Sequence, residues 1–128
     1  SVAFFWFPDA PDGVPGLSAP KTRPEQGELV SATGSMNHVA FHVPPERFEE
    51  YRRKLRAKGV EVSPILNHDD SPAGISRDPH DGTFVRSFYF QDPDGVLLEF
   101  ACWTRTFTDT DVSHPPRTNA DRVAHAPV

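Results

Sequence analysis

The tightest constraint on this chain is a change of hydrophobic period at a proline pair. Residues 36–43, Met-Asn-His-Val-Ala-Phe-His-Val, alternate with period 2. Val39, Phe41 and Val43 point one way, and Met36, His38, Ala40 and His42 the other. Pro44-Pro45 closes that strand, and Pro45 suits the first turn of a helix. Over residues 46–58 the period becomes helical: Phe48, Tyr51 and Leu55 form one stripe. Glu46, Glu49 and Glu50 lead, and Arg52, Arg53, Lys54, Arg56 and Lys58 follow on a solvated face. That is the order a helix dipole favours. Gly59 supplies the stop.

Residues 60–66 then read as a second strand and residues 67–82 as a long polar loop. An aromatic strand over 83–91, the turn Asp92-Pro93-Asp94-Gly95 and a last strand over 96–103 complete the unit. The sequence predicts an α+β fold, a βαβββ module within residues 36–107. Its helix covers one face of the sheet and leaves the other needing a partner. A homodimer or larger assembly follows.

The flanks differ. Residues 1–8 open on Val-Ala-Phe-Phe-Trp-Phe and stop at Pro8, which reads as a strand. Residues 9–35 are rich in Pro, Gly, Ser and Asp and read as a linker between packed units. Residues 108–128 hold almost no core formers and read as a tail, disordered or draped over a neighbour.

Composition removes several functions. Thirteen basic against eighteen acidic residues give a net charge of −5, the wrong sign for a nucleic-acid binder. No apolar run approaches the roughly 20 residues of a membrane span. Cys102 is the only cysteine, so no internal disulfide and no cysteine-rich zinc site is available. A reducing, cytoplasmic setting fits that usage.

Two ionisable residues occupy positions where the pattern expects apolar ones. His38 lies in the first strand, on the face away from the helix-packing residues. Glu99 lies in Val96-Leu97-Leu98-Glu99-Phe100-Ala101, with parity opposite to Leu98 and Phe100. A carboxylate buried there needs a cation, a donor or water. If both share the open face, they form half of a divalent-metal site. A satisfied strand histidine and a solvated glutamate fit the same spacing, which leaves both readings open.

The strings Met-Asn-His38-Val-Ala-Phe-His-Val and Phe-Tyr89-Phe-Gln-Asp-Pro-Asp-Gly-Val-Leu-Leu-Glu99-Phe resemble the two ends of a vicinal oxygen chelate module. That superfamily includes glyoxalase I, extradiol dioxygenases, and fosfomycin- and bleomycin-resistance proteins, with paired βαβββ modules cupped around a metal. The resemblance implies that His38 and Glu99 are metal ligands. It also makes residues 1–8 the closing strand of a preceding, largely absent module, with Phe4 at the position matching Glu99. The third ligand, a histidine, is then expected before Ser1. Two histidines and one carboxylate imply Fe(II), with Mn(II), Zn(II) or Ni(II) as alternatives.

The order His80, Phe88-Tyr89, Asp92-Pro93-Asp94-Gly95, Glu99 is similar to the C-terminal pattern of the extradiol members, although Asp78 departs from it. By that resemblance His80 and Tyr89 assist catalysis beside the metal, on a catechol-like diol. Phe88 and Trp103 are candidate walls for the substrate. A core aromatic and a loop histidine are the bland alternatives for Tyr89 and His80. His42 lines the same cavity or its rim, His68 reads as exposed loop, and His114 and His125 belong to the tail. A glyoxalase-like isomerase or lyase, and a non-enzymatic ligand binder, are the competing functions on the same fold.

Overall fold

The computed structural model describes Pro8, residues 36–93 and residues 96–115. The chain divides into two units, and the one described here is His38–His114. The other, Ser1–Asn37 with Pro115–Pro127, lies almost wholly outside the described residues. The strand expected at 1–8 and the linker expected at 9–35 fall there.

Six elements follow in order: β1 (Val39–His42), α1 (Pro45–Ala57), β2 (Leu66–His68), β3 (Ile75–Ser76), β4 (Val85–Gln91) and β5 (Leu97–Trp103). They build one mixed sheet in the order β1-β5-β4-β2-β3. The first and last strands are parallel neighbours, with Ala40 opposite Glu99 and His42 opposite Ala101. β4 runs antiparallel to β5, with Tyr89 opposite Glu99 and Ser87 opposite Ala101. This is the α+β module that the alternation implied, with one small strand added.

The helix begins where Pro44 and Pro45 place it and ends in a Schellman motif. Gly59 N–H bonds Arg56 O at 2.9 Å, and Val60 N–H bonds Leu55 O at 3.0 Å. Gly59 has φ +78°, a left-handed conformation that a side chain would strain. Phe48, fully buried, drives the helix onto the sheet. It meets Phe88 at 5.1 Å between ring centroids, and Phe88 and Phe90 both meet Phe100, at 5.7 and 4.9 Å. Cys102, Leu55, Val62 and Ile65 complete this core.

Three sequence expectations need correction. The strand expected over 60–66 does not form as one piece. Val62 makes an isolated bridge to Phe90, and β2 starts only at Leu66. Pro64, which has no N–H to donate, separates the two. The loop expected over 67–82 instead contains a hairpin, with Asn67 opposite Ser76 and His68 opposite Ile75. Its turn is Ser71-Pro72-Ala73-Gly74, closed by Gly74 N–H to Ser71 O at 2.8 Å. Asp69 reinforces it, accepting the Ser71 N–H at 3.0 Å. Finally, Phe88 is no substrate wall. Adjacent strand residues face opposite ways, so with Tyr89 on the open face Phe88 must enter the helix-side core.

After β5 the chain folds back. Asp111 pairs with Arg105 at 2.6 Å, and His114 Nε2 donates to Asp70 O at 2.8 Å. No helix among the described residues is long and apolar enough to cross a membrane.

Candidate metal centre

The face of the sheet away from α1 carries His38, Ala40 and His42 on the β1 side, and Leu97, Glu99, Ala101 and Trp103 on β5. It also carries Ser87 and Tyr89 on β4, and Leu66 and His68 on β2. Leu66, Tyr89 and Leu97 pack together as a second, smaller apolar cluster, with Ile75 against it.

His38 stands immediately before β1 rather than in mid-strand. Because β1 and β5 run side by side, His38 and Glu99 are diagonal neighbours. His38 Nε2 lies 2.9 Å from Glu99 Oε2, and the two side chains are only 10% and 9% exposed. Burial works to raise the Glu99 pKa. The His38 hydrogen bond and charge, the Ser87 hydroxyl and the field of His68 outweigh it, so the carboxyl is held below its ordinary range. The carboxyl is thereby favoured in its ionised form although its side chain is only 9% exposed.

Tyr89 and His38 meet in a T-shaped contact, with ring centroids 5.5 Å apart and planes at 81°. Its opposition to Glu99, which depended on the turn, is set by the β4–β5 register. His80 is held elsewhere. Its Nδ1 accepts the Gly82 N–H at 3.1 Å, which leaves the proton on Nε2, donated to Asp69 at 2.9 Å. Ser76 and Asp69 hydrogen-bond each other in the same cluster. The contacts that hold His80 thus belong to the hairpin, whereas His38, Glu99 and Tyr89 come together on the sheet.

Two participants were not evident from the sequence. His68, expected in an exposed loop, is a β2 residue whose Nε2 lies 2.9 Å from Ser87 Oγ. Burial lowers its pKa, against the opposing pull of Glu99 and Asp69. Ser87 is fully buried beside Glu99. The only signal for His68 was its two-residue spacing from Leu66, masked by the polar run Asn-His-Asp-Asp.

The donor set fits a divalent ion. An imidazole nitrogen and a carboxylate oxygen, each about 2.1 Å from one ion and at right angles, lie about 3.0 Å apart. The observed 2.9 Å matches, and also suits the hydrogen bond between them. Among the described residues no cluster of three or more His, Cys, Asp or Glu could hold a metal.

A βαβββ sheet with its first and last strands as parallel neighbours and one helix on a single face defines the class: a module of the glyoxalase type. Residues 1–100 match the family model of the Glyoxalase/Bleomycin resistance protein/Dioxygenase superfamily, and the chain belongs to that superfamily. It is similar to the genomically encoded fosfomycin resistance protein FosX from Listeria monocytogenes, with 31% identity, 55% of this chain and 48% of that chain covered, and a TM-score of 0.40. It is also similar to a glyoxalase/dioxygenase from Nostoc punctiforme, with 23% identity, coverage of 73% and 51%, and a TM-score of 0.40. The chain spans about half the length of each.

Proposed function

We propose that His38 and Glu99 contribute to a divalent-metal centre that chelates a small molecule through two adjacent oxygens. Its reaction is extradiol-type ring cleavage of a catecholic substrate with Fe(II). The observation that supports this reading is the buried His38–Glu99 pair on the sheet face opposite the helix. Superfamily membership makes metal-dependent chemistry the expected use of such a pair.

Fe(II), when bound, supplies Lewis acidity, redox capacity and coordination positions left open by the protein. The chain's own residues do the rest. Glu99 would enter the site with its carboxyl already held below its ordinary range despite burial. Coordination through Nε2 requires His38 as the neutral imidazole. The Tyr89 ring, held in T-shaped contact with His38, would bring a phenol to the site that can hydrogen-bond a substrate oxygen. His80 would act from the hairpin, and only after giving up its Asp69 bond. The remaining ligands would come from outside the described residues.

The test is anaerobic titration of the full chain with Fe(II), Mn(II), Zn(II) and Ni(II), followed by oxygen uptake with catechols. Binding of one equivalent, lost by 100-fold or more in His38→Ala and Glu99→Ala, is the expected result. A chain that binds none of the four ions overturns the metal centre. Turnover without oxygen, strongest with Zn(II) or Ni(II), overturns the dioxygenase assignment and leaves glyoxalase-like chemistry.

A further inference from the structure

We propose that His80 is a latch that closes residues 77–82 onto the β2–β3 hairpin, and that Gly82 ties this latch to the C-terminal segment from Arg105 to His114. The inference goes beyond the metal centre and does not depend on it.

The His80 side chain is half exposed, yet both of its ring nitrogens are engaged. Nε2 donates to Asp69 at 2.9 Å, with Ser76 Oγ at 3.2 Å, and Nδ1 accepts the Gly82 N–H at 3.1 Å. The backbone is fixed as well. His80 N–H donates to Thr83 Oγ1, and the Thr83 N–H returns to His80 O, each at 2.9 Å. Gly82 lies directly against the ring, where a Cβ would stand 2.8 Å from His80 Cε1. Its backbone is not left-handed, so close approach to the imidazole is what calls for glycine here.

Gly82 also faces the other way. Its carbonyl accepts Arg105 Nη2 at 3.2 Å while its N–H holds His80. Arg105 is itself clamped by Asp111, with Nη1 to Oδ2 at 3.0 Å and Nη2 to Oδ1 at 2.6 Å. Just beyond, the Val112 N–H donates to the Asp70 carboxylate at 3.2 Å, and His114 Nε2 to Asp70 O at 2.8 Å. The C-terminal segment therefore reaches from Gly82, at the latch, to Asp70, beside the hairpin turn. A neutral imidazole has one lone pair to offer, and in the latched pose Gly82 occupies it. The state in which His80 can take a proton or a ligand is thus the state in which these contacts have let go.

Two measurements on the full chain, without metal, test this. Diethyl pyrocarbonate acylates a free imidazole lone pair, and peptide mass spectrometry reads each histidine separately. One hydrogen bond is worth about a tenfold change in an opening equilibrium, so His80 is expected to react about tenfold or more slowly than the exposed His42. Gly82→Ala, whose methyl displaces the ring, should remove that protection. Asp111→Ala changes no partner of the His80 ring. It should still speed His80 labelling about threefold or more, because contacts within one hydrogen-bond network couple. The second measurement is long-range proton–nitrogen NMR at neutral pH, in which His80 is expected as the Nε2–H tautomer.

His80 labelled as fast as His42 in the wild-type chain, or found as the Nδ1–H tautomer, overturns the latch. Protection that survives Gly82→Ala overturns it too. Protection lost in Gly82→Ala but unchanged in Asp111→Ala overturns the link to the C-terminal segment. Both wild-type readouts still decide the latch if Gly82→Ala fails to fold. Arg105→Met, which removes the donor to Gly82 O, replaces Asp111→Ala if that variant fails to fold. A chain that binds no metal ion refutes the metal centre alone and leaves each of these outcomes as it stands.

Discussion

Replacing Asp69 with alanine should unfasten the hairpin that carries His68. The Asp69 side chain is 3% exposed. It accepts from the Ser71 N–H at 3.0 Å, the Ser71 hydroxyl at 2.5 Å, the Ser76 hydroxyl, and His80 Nε2 at 2.9 Å. A hydrogen bond to a charged group contributes about 1.5–3 kcal/mol. The His80 bond counts for little, because that side chain is half exposed. The Ser71 donors share one oxygen and are not additive. Two effective bonds remain, so Asp69→Ala is expected to cost about 3–6 kcal/mol. For a unit of this size each lost kcal/mol lowers Tm by about 4–8 °C, giving a fall of about 12 °C or more.

The pH dependence supplies an independent arm. Burial works to raise the Asp69 pKa, but the Ser71, Ser76 and His80 hydrogen bonds and the Ser71 N–H outweigh it and hold the carboxyl well below its ordinary range. Folded Asp69 therefore binds its proton more weakly than the unfolded chain does. Its contribution is complete above the unfolded value, near pH 4, and is lost as the pH falls from there toward the folded value. Urea unfolding followed by circular dichroism, repeated from pH 7 to pH 3, measures both effects. Asp69→Asn should lose part of the stability and flatten the acid limb. A cost below about 1 kcal/mol for Asp69→Ala, or an acid limb unchanged in Asp69→Asn, refutes the staple.

Phe88→Ala removes the ring at the centre of the helix-side core, where Phe88 is fully buried, and should cost about 3–5 kcal/mol in urea unfolding. A loss under about 1.5 kcal/mol would show that α1 is not anchored there. Burial raises the Cys102 thiol pKa, so the folded protein should resist a disulfide reagent at pH 8 and react fully in denaturant. Rapid labelling of the native chain contradicts that. Tyr89→Phe keeps the ring beside His38 and should leave metal affinity within about twofold while lowering turnover about tenfold or more. Equal turnover removes the phenol from the mechanism.

What could be read from the sequence followed from parity. Once Leu98 and Phe100 were set against the helix, Glu99 had to face away, and the same alternation put His38 on that face. The helix bounds were legible because Pro44-Pro45 and Gly59 are local signals. The hairpin was not, because β2 and β3 together span five residues with only Leu66 and Ile75 apolar. Too few alternations remain there for a period to show, and the pairing is carried by side-chain bonds from Asn67 and Asp69. Its turn chemistry, an Asp three residues before a Pro at the second turn position and a Gly at the fourth, was the available clue. Ser87 escaped notice for a different reason. A serine in an alternating strand looks like an outward residue, and only the β2 register shows that it is covered.

The pleat divides labour between the two faces of this sheet. Phe88, Phe90, Phe100 and Cys102 bind the helix and fix where β4 and β5 run. Ser87, Tyr89 and Glu99, interleaved with them, are thereby placed on the opposite face. Burying such polar groups costs free energy unless each finds a partner. Here Glu99 has His38 and Ser87, and Ser87 has His68. Core formation alone does not require that network, since apolar residues at these positions would close the face more cheaply. Parallel pairing of β1 with β5 then does what no local motif could. It brings a residue from the start of the module to one from its end, and so makes the His38–Glu99 pair a product of the whole fold.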